Sequence, residues 1–325
     1  MKRRDLLAGA ATTAMASKAC AQPALPRIAY LSGRSFGTDL HLLQAFREGL
    51  KTTGYIDLQN VSVDVQWADG RYSEAPKLAA EVVASGPKVI AAVGGNPVSL
   101  AVKAATSTIP VVFGSGGDPV ALGLVSNLVR PDGNLTGITL WTPELEAKRL
   151  ELLHEMLPRA RSVALLLNPT NPGAGESDLQ RTRAAAATLG LTLEVLQVSS
   201  SSEIERAFEQ LTPGKVDALV VAADAFLINR RRRITGLAAL RRLPAIFPAR
   251  EFTEEGGLAS YGTRWADMYG IIGSYAGRLL KGAKPADLPV QSPTRYELVV
   301  NLATAQTLGL ELPPAVLARA NELIK

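Results

Sequence analysis

Two short apolar runs, Val89 to Val93 and Pro110 to Phe113, each end in a glycine-rich polar loop that opens a helix. The loops read Gly94-Gly95-Asn96-Pro97 and Gly114-Ser115-Gly116-Gly117-Asp118-Pro119. Continuous apolar runs bounded by Gly and Pro predict fully buried parallel strands. In open α/β sheets, ligands bind just beyond the carboxyl ends of such strands. Glycine allows close approach to the backbone, and the following helix N-terminus offers unpaired N–H groups to an anion. This segment reads as one wall of a small-molecule pocket.

The rest of the chain repeats the pattern. Strand and helix signals alternate from Ile28 onward, which predicts an α/β protein with mostly parallel sheets. A first block holds strands at Ile28 to Leu31, Val61 to Val65, the two runs above and Leu135 to Leu140. Its first helix carries Leu42, Leu43, Phe46 and Leu50 at helical spacing. A second block holds strands at Val163 to Leu167, Thr192 to Val198, Ala218 to Ala222 and Ala245 to Phe247, with one helix expected from Phe226 to Leu240. Pro110 to Phe113 and Pro244 to Phe247 occupy the same ordinal place in the two blocks. Two similar α/β lobes imply a cleft between them. The expected boundaries are 27–141 for the first lobe, completed by 257–284, and 142–256 for the second, completed by 285–325. The C-terminal segment reads as a strand at Tyr296 to Val300 followed by helices near Thr304 to Leu308 and Pro314 to Ile324.

The first residues carry an export signal. Lys2, Arg3 and Arg4 precede an apolar stretch from Leu6 to Ala16, and Ala19-Cys20-Ala21 fits an A-x-A cleavage site. Cleavage after Ala21 is expected, and Arg3-Arg4-Asp5-Leu6-Leu7 resembles a twin-arginine signal. The leader has four basic residues against one Asp, so its removal lowers the formal charge from +5 to +2. No argument for nucleic acid remains. Cys20, the one cysteine of the 325 residues, leaves with the leader, which excludes disulfide and thiol chemistry in the mature chain.

Enzyme chemistry finds little support. With only His41 and His154, a histidine metal site or a serine–histidine triad is not expected. Gly173-Ala174-Gly175 lacks the third glycine of a dinucleotide fingerprint, and no P-loop occurs. The Arg230 to Arg233 run reads as a solvated helix face. No catalytic residue, metal or cofactor is expected. Ligand contacts are expected at polar strand ends: Ser32, Ser35, Asn96, Ser99, Ser115 and Asp118 in the first lobe, and Asn168, Asn171, Asp224 and Arg250 in the second, with Gly95 beside them. Each Ser, Asn or Asp is equally suited to capping a helix. Asp224 ends an apolar run, where a carboxylate needs a cationic or hydrogen-bonding partner. Phe36, Phe226 and Tyr261 are candidates to cover a ligand's body, while Arg71 and Tyr72 read as a surface turn.

The stretches Phe46-Arg47-Glu48-Gly49-Leu50, Trp67-Ala68-Asp69-Gly70-Arg71-Tyr72, Gly117-Asp118-Pro119-Val120 and Arg130-Pro131-Asp132-Gly133-Asn134-Leu135-Thr136-Gly137 carry a family resemblance. Ser260-Tyr261-Gly262 and Lys281-Gly282-Ala283-Lys284-Pro285-Ala286-Asp287-Leu288-Pro289 extend it. The chain resembles the solute-binding proteins of ABC importers, in the branch associated with tryptophan and tyrosine uptake. That resemblance implies a type I periplasmic-binding-protein fold, two Rossmann-like lobes joined by three crossovers with a ligand clamped between them. It further implies a monomeric periplasmic receptor that serves an inner-membrane permease and binds an amino acid, aromatic or otherwise, or a similar small carboxylate. On this reading the carboxylate sits at the helix N-terminus after Gly94-Gly95-Asn96, and Asp224 faces an ammonium group across the cleft. The Gly94-Gly95-Asn96-Pro97 loop departs from the Gly-Thr-Pro and Ser-Pro versions of relatives. The alternatives are a sensory receptor of the same fold feeding a signalling protein, and a periplasmic oxidoreductase on a Rossmann-like core.

Overall fold

The computed structural model describes residues 24–140, 144–172, 175–211 and 214–325. The expected leader, the lobe boundary at Trp141 and Thr142, and Gly173-Ala174 of the glycine motif lie outside the described residues.

The first lobe is built from β1 (Arg27–Ser32), α1 (Phe36–Lys51), β2 (Ser62–Trp67), α2 (Ala75–Ala84), β3 (Val89–Val93), α3 (Asn96–Ala105), β4 (Val111–Ser115) and β5 (Leu135–Thr139). The second begins with α4 (Leu145–Met156), β6 (Ser162–Leu167), α5 (Gly175–Thr188), β7 (Thr192–Gln197), α6 (Ser201–Gln210) and β8 (Ala218–Val221). It continues through α7 (Ala225–Asn229), α8 (Arg231–Leu240), β9 (Ala245–Phe247), α9 (Arg250–Glu254) and β10 (Ala259–Thr263). The long helix α10 (Trp265–Leu280) follows, then β11 (Tyr296–Asn301), α11 (Leu302–Leu308), α12 (Pro314–Arg319) and β12 (Glu322–Ile324).

The strand order of the first sheet is β2-β1-β3-β4-β5, all parallel. The second sheet runs β7-β6-β8-β9-β10 in parallel, the same order, and adds antiparallel β11 and then β12. The fold is therefore α/β with two doubly wound lobes. Each sheet is covered on both faces, as continuous apolar strands require. One face of the first sheet packs Leu42, Phe46 and Leu50 of α1 with Ile272 and Tyr275 of α10; the other packs α2 and α3. The second sheet is likewise enclosed, by α6 to α9 on one side and α4, α5, α11 and α12 on the other.

The returning segments divide differently from the expected boundaries. Helix α10 docks on the first lobe, but β10 pairs with β9 (Ala259↔Ile246) and β11 (Tyr261↔Leu298), so 257–263 belongs to the second sheet. Conversely, Gln291 bridges Ile138 and Val290 packs against the first core, so the stretch to Gln291 stays with the first lobe. A short strand of small, mostly buried residues fits either sheet by pattern, and only pairing decides. The helix expected over Phe226 to Leu240 breaks at Arg230 (φ −111°, ψ 15°), whose guanidinium folds back over the Phe226 ring at 3.9 Å. The last expected helix stops at Arg319, and Glu322–Ile324 adds a strand alongside β11.

Candidate functional site

In the order 2-1-3-4-5, the crevice lies where successive connections leave opposite faces, at β1/β3 and at β6/β8. The two crevices face each other across the lobes. From the first come Arg34, after β1, and Gly94 and Gly95, after β3; from the second come Asn171, after β6, and Ala223 and Asp224, after β8. With Glu146, Arg149, Trp265 and Tyr269 they line a cavity with an empty volume of about 810 Å³ including its mouth. Such a size suits a small organic ligand.

Asp224 is buried and capped by its own helix: Leu227 N–H donates to Oδ1 at 3.1 Å. Asn168 Nδ2 donates to the same oxygen at 3.2 Å, and Asn171 Nδ2 donates to Oδ2 at 3.0 Å. The fourth donor is the Tyr72 hydroxyl from the first lobe, 2.9 Å from Oδ2. Burial raises the carboxyl above its ordinary range, while these four bonds act in the opposite direction. Each oxygen already accepts two bonds, so an ammonium group could reach Asp224 only by displacing a donor. Tyr72 is thus no surface turn. Its hydroxyl lies against Gly95, where an added Cβ would sit 2.7 Å from Oη.

Further ties cross between the lobes. Thr38 Oγ1 donates to Asn229 Oδ1 at 2.6 Å, Asn96 Nδ2 donates to the Pro172 carbonyl at 2.9 Å, and His41 Nε2 lies 3.0 Å from Glu251 Oε1. Burial would raise the Glu251 carboxyl, but the His41 hydrogen bond and the Arg34 charge outweigh it and bring it down to about 2.

Arg34 is fully buried. Its Nη2 donates to the Thr38 carbonyl at 2.7 Å, and its guanidinium lies 4.8 Å from the Trp265 ring centroid. Asp39 is 3.4 Å from Nε and Glu251 3.8 Å from Nη2, yet Nε and Nη1 make no hydrogen bond. Burial raises the Asp39 carboxyl against the lowering influence of Arg34. On the opposite wall, Glu146 pairs through Oε1 with Arg149, while its Oε2 is buried without a partner. Asn171 Oδ1 is also buried and unpartnered. The first lobe thus offers one unused donor, Arg34 Nη1, to the cavity, and the second offers unused acceptors.

Of the residues expected from sequence, Gly95, Asn171 and Asp224 line the cavity. The others are placed elsewhere. Ser32 accepts from the Arg34 N–H and so shapes that loop; Ser35 hydrogen-bonds Thr38 at the start of α1. Asn96 accepts from Ser115 Oγ and Gly116 N–H, bracing one loop on the other, and Asn168 serves Asp224. Ser99 donates to the Ala92 carbonyl. Asp118 accepts from the Val120 and Ala121 N–H groups in a turn, and the helix expected after this loop does not form: β4 runs on to β5 through turns alone. Phe36 is 60% exposed, edge-on to Trp67, and covers nothing in the cavity. Phe226 lies in the second lobe's core, and Tyr261 packs beside Tyr296, contributing to the cavity wall only by its carbonyl bond from Arg149. Arg250 is held by Glu254, Glu297 and Glu322. The four arginines at 230–233 are engaged on the surface with Ser201, Glu255 and Glu205.

Sequence reasoning missed Arg34, Glu146, Arg149, Trp265 and Tyr269. Arg34 alone carried a usable signal, standing just beyond the carboxyl end of a predicted strand. Among the described residues, no three His, Cys, Asp or Glu side chains gather as a metal site, and no helix is long and apolar enough to cross a membrane.

Known proteins are similar to this chain in sequence and fold. A conserved domain protein from Vibrio cholerae is 27% identical, with a TM-score of 0.85 over 92% of this chain and 99% of that one. An ABC domain from Streptococcus pneumoniae in complex with L-Trp is 28% identical, with a TM-score of 0.84 over 92% and 100% of the two chains. A tyrosine-binding protein of Clostridioides difficile is 26% identical over 270 residues, 82% of this chain and 76% of that protein. Residues 36–324 match the family described as ABC transporter substrate binding protein, and with both lobes and their shared cavity accounted for, the chain belongs to that family.

Proposed function

We propose that the chain is an extracytoplasmic receptor that closes by hinge motion on an amino acid, aromatic in its side chain, and presents it to an inner-membrane ABC permease. The observation that carries this reading is the cavity itself, walled by the carboxyl ends of both sheets and flanked by Trp265 and Tyr269. Lobes whose direct ties around a central cavity are mostly hydrogen bonds can rotate apart and re-form those contacts on closing. The tryptophan complex and the tyrosine-binding relative support the aromatic amino acid as the ligand class. The receptor acts as a monomer in the periplasm, exported by the leader expected over residues 1–21.

Thermal unfolding in the presence of single L-amino acids, aromatic acids, purines and sugars tests the ligand class. A compound that binds only the folded protein raises the melting temperature, by an amount that grows with its concentration over Kd. L-tryptophan or L-tyrosine is expected to do so. A response confined to sugars or purines would refute the amino-acid reading. N-terminal sequencing of the exported protein is expected to begin at Gln22.

A further inference from the structure

Resting on that reading, we infer that the cavity recognises both ends of a zwitterion, with Arg34 of the first lobe holding the carboxylate and Glu146 with Asn171 of the second holding the ammonium. The polarity is written in the unused hydrogen-bonding groups. Arg34 keeps one donor nitrogen, Nη1, without any partner although the side chain has no exposure, while Nε faces Asp39 Oδ1 at 3.4 Å. A guanidinium N–H donated to a carboxylate is a charge-assisted hydrogen bond, stronger than one between neutral groups. Leaving such a donor dry is costly, and a bound carboxylate removes that cost. The Trp265 ring lies against the guanidinium, so Nη1 is held in place rather than searching.

Acceptors dominate the facing wall. Glu146 is 4% exposed and uses one oxygen for Arg149, which leaves Oε2 as a buried anionic acceptor. Asn171 is equally buried and spends its amide donor on Asp224, which turns its unpartnered Oδ1 outward from that bond. An ammonium group carries three donors and no acceptor, and it suits this pair. Neither lobe satisfies both charges alone, so a ligand lacking one of them forfeits either the Arg34 contact or the Glu146 and Asn171 contact. Asp224 then serves as the scaffold that holds Asn171 rather than as the ammonium's first partner.

Calorimetry with L-tryptophan, tryptamine and indole-3-propionate on the full mature chain tests the assignment. Wild-type protein is expected to bind L-tryptophan at least about 30-fold more tightly than either analogue, the scale of losing one partner of a buried charge pair. Arg34→Gln should erase the preference over tryptamine and keep that over indole-3-propionate; Glu146→Gln should do the reverse. A merely structural Arg34 would weaken all three compounds alike. Should Arg34→Gln fold poorly, Arg34→Lys and the wild-type analogue series carry the same test. If wild-type protein takes tryptamine or indole-3-propionate as tightly as L-tryptophan, the zwitterion assignment is overturned and the receptor reading stands. If none of the common L-amino acids binds, the receptor's ligand class fails and the assignment falls with it.

Discussion

Gly95 joins backbone strain to the tie between the lobes, and its replacement by Ala separates the two. The residue sits at φ 131°, ψ 149°, a conformation that side chains other than glycine's rarely adopt. Strain of this kind costs about 1–3 kcal/mol. The new Cβ would also stand 2.7 Å from Tyr72 Oη and 3.0 Å from Tyr72 Cε1. Tyr72 must then move, and its 2.9 Å bond to Asp224 breaks. A hydrogen bond to a charged group contributes about 1.5–3 kcal/mol. Together Gly95→Ala should cost about 3–5 kcal/mol, or roughly 4–8 °C in melting temperature for a chain of this size. Thermal unfolding of wild type, Gly95→Ala, Tyr72→Phe and the double variant reads the two contributions apart. In the Tyr72→Phe background the bond is already gone, so Gly95→Ala should cost less than in wild type, by about the 1.5–3 kcal/mol of that bond. Equal losses in both backgrounds would refute the link between the glycine and the interlobe bond.

Three further outcomes are expected. Gly273→Val places a Cβ 1.9 Å from the Phe46 carbonyl, so α1 and α10 must separate; a loss of about 3 kcal/mol or more is expected in thermal unfolding. Glu251 has its carboxyl lowered from 4.5 to about 2, so it adds about 3 kcal/mol that is complete above pH 4.5 and lost as the pH falls toward 2. Stability measured across that window should fall less steeply for Glu251→Gln than for wild type. Asp224→Asn replaces an acceptor of four bonds by a group with two donors of its own, which leaves donors facing donors; a loss of about 2–4 kcal/mol is expected, and an unchanged melting temperature would contradict the bonding described here.

Much of the scaffold was legible because the strands announce themselves. Val89 to Val93 and Ala218 to Val221 are apolar at every position, and burial on both faces follows directly. Asp224 stood out because a carboxylate closing such a run must be satisfied. Arg34 and Glu146 were hidden for the opposite reason. An arginine in a loop and a glutamate near a helix start are ordinary solvent-facing residues, and only the apposition of the lobes buries them. The glycine loops were half understood. Gly33 and Gly94 permit close approach, but of the chain to itself: a Cβ on Gly33 would lie 2.1 Å from the Gly94 carbonyl. Pairing partners for β10 were beyond reach, since its short run Ala-Ser-Tyr-Gly-Thr carries no pattern that prefers one sheet to the other.

The seam between α1 and α10 has a consequence for how the molecule is made. Gly49, Gly273 and Gly277 bring the two helices so close that an added Cβ on any of them would meet the opposite helix or Thr53 at 1.8–1.9 Å. Yet α10 emerges only after the whole parallel part of the second sheet, up to β10, has been synthesised. Until then Leu42, Phe46 and Leu50 lack their cover, and the first lobe must wait with a greasy face open to chaperones and proteases. A nascent chain cut short near Gly256 would hold all five strands of the first sheet and still lack the helix that covers one face of it. The order of birth and the order of completion therefore run opposite ways: the lobe begun first closes only when its successor is nearly done.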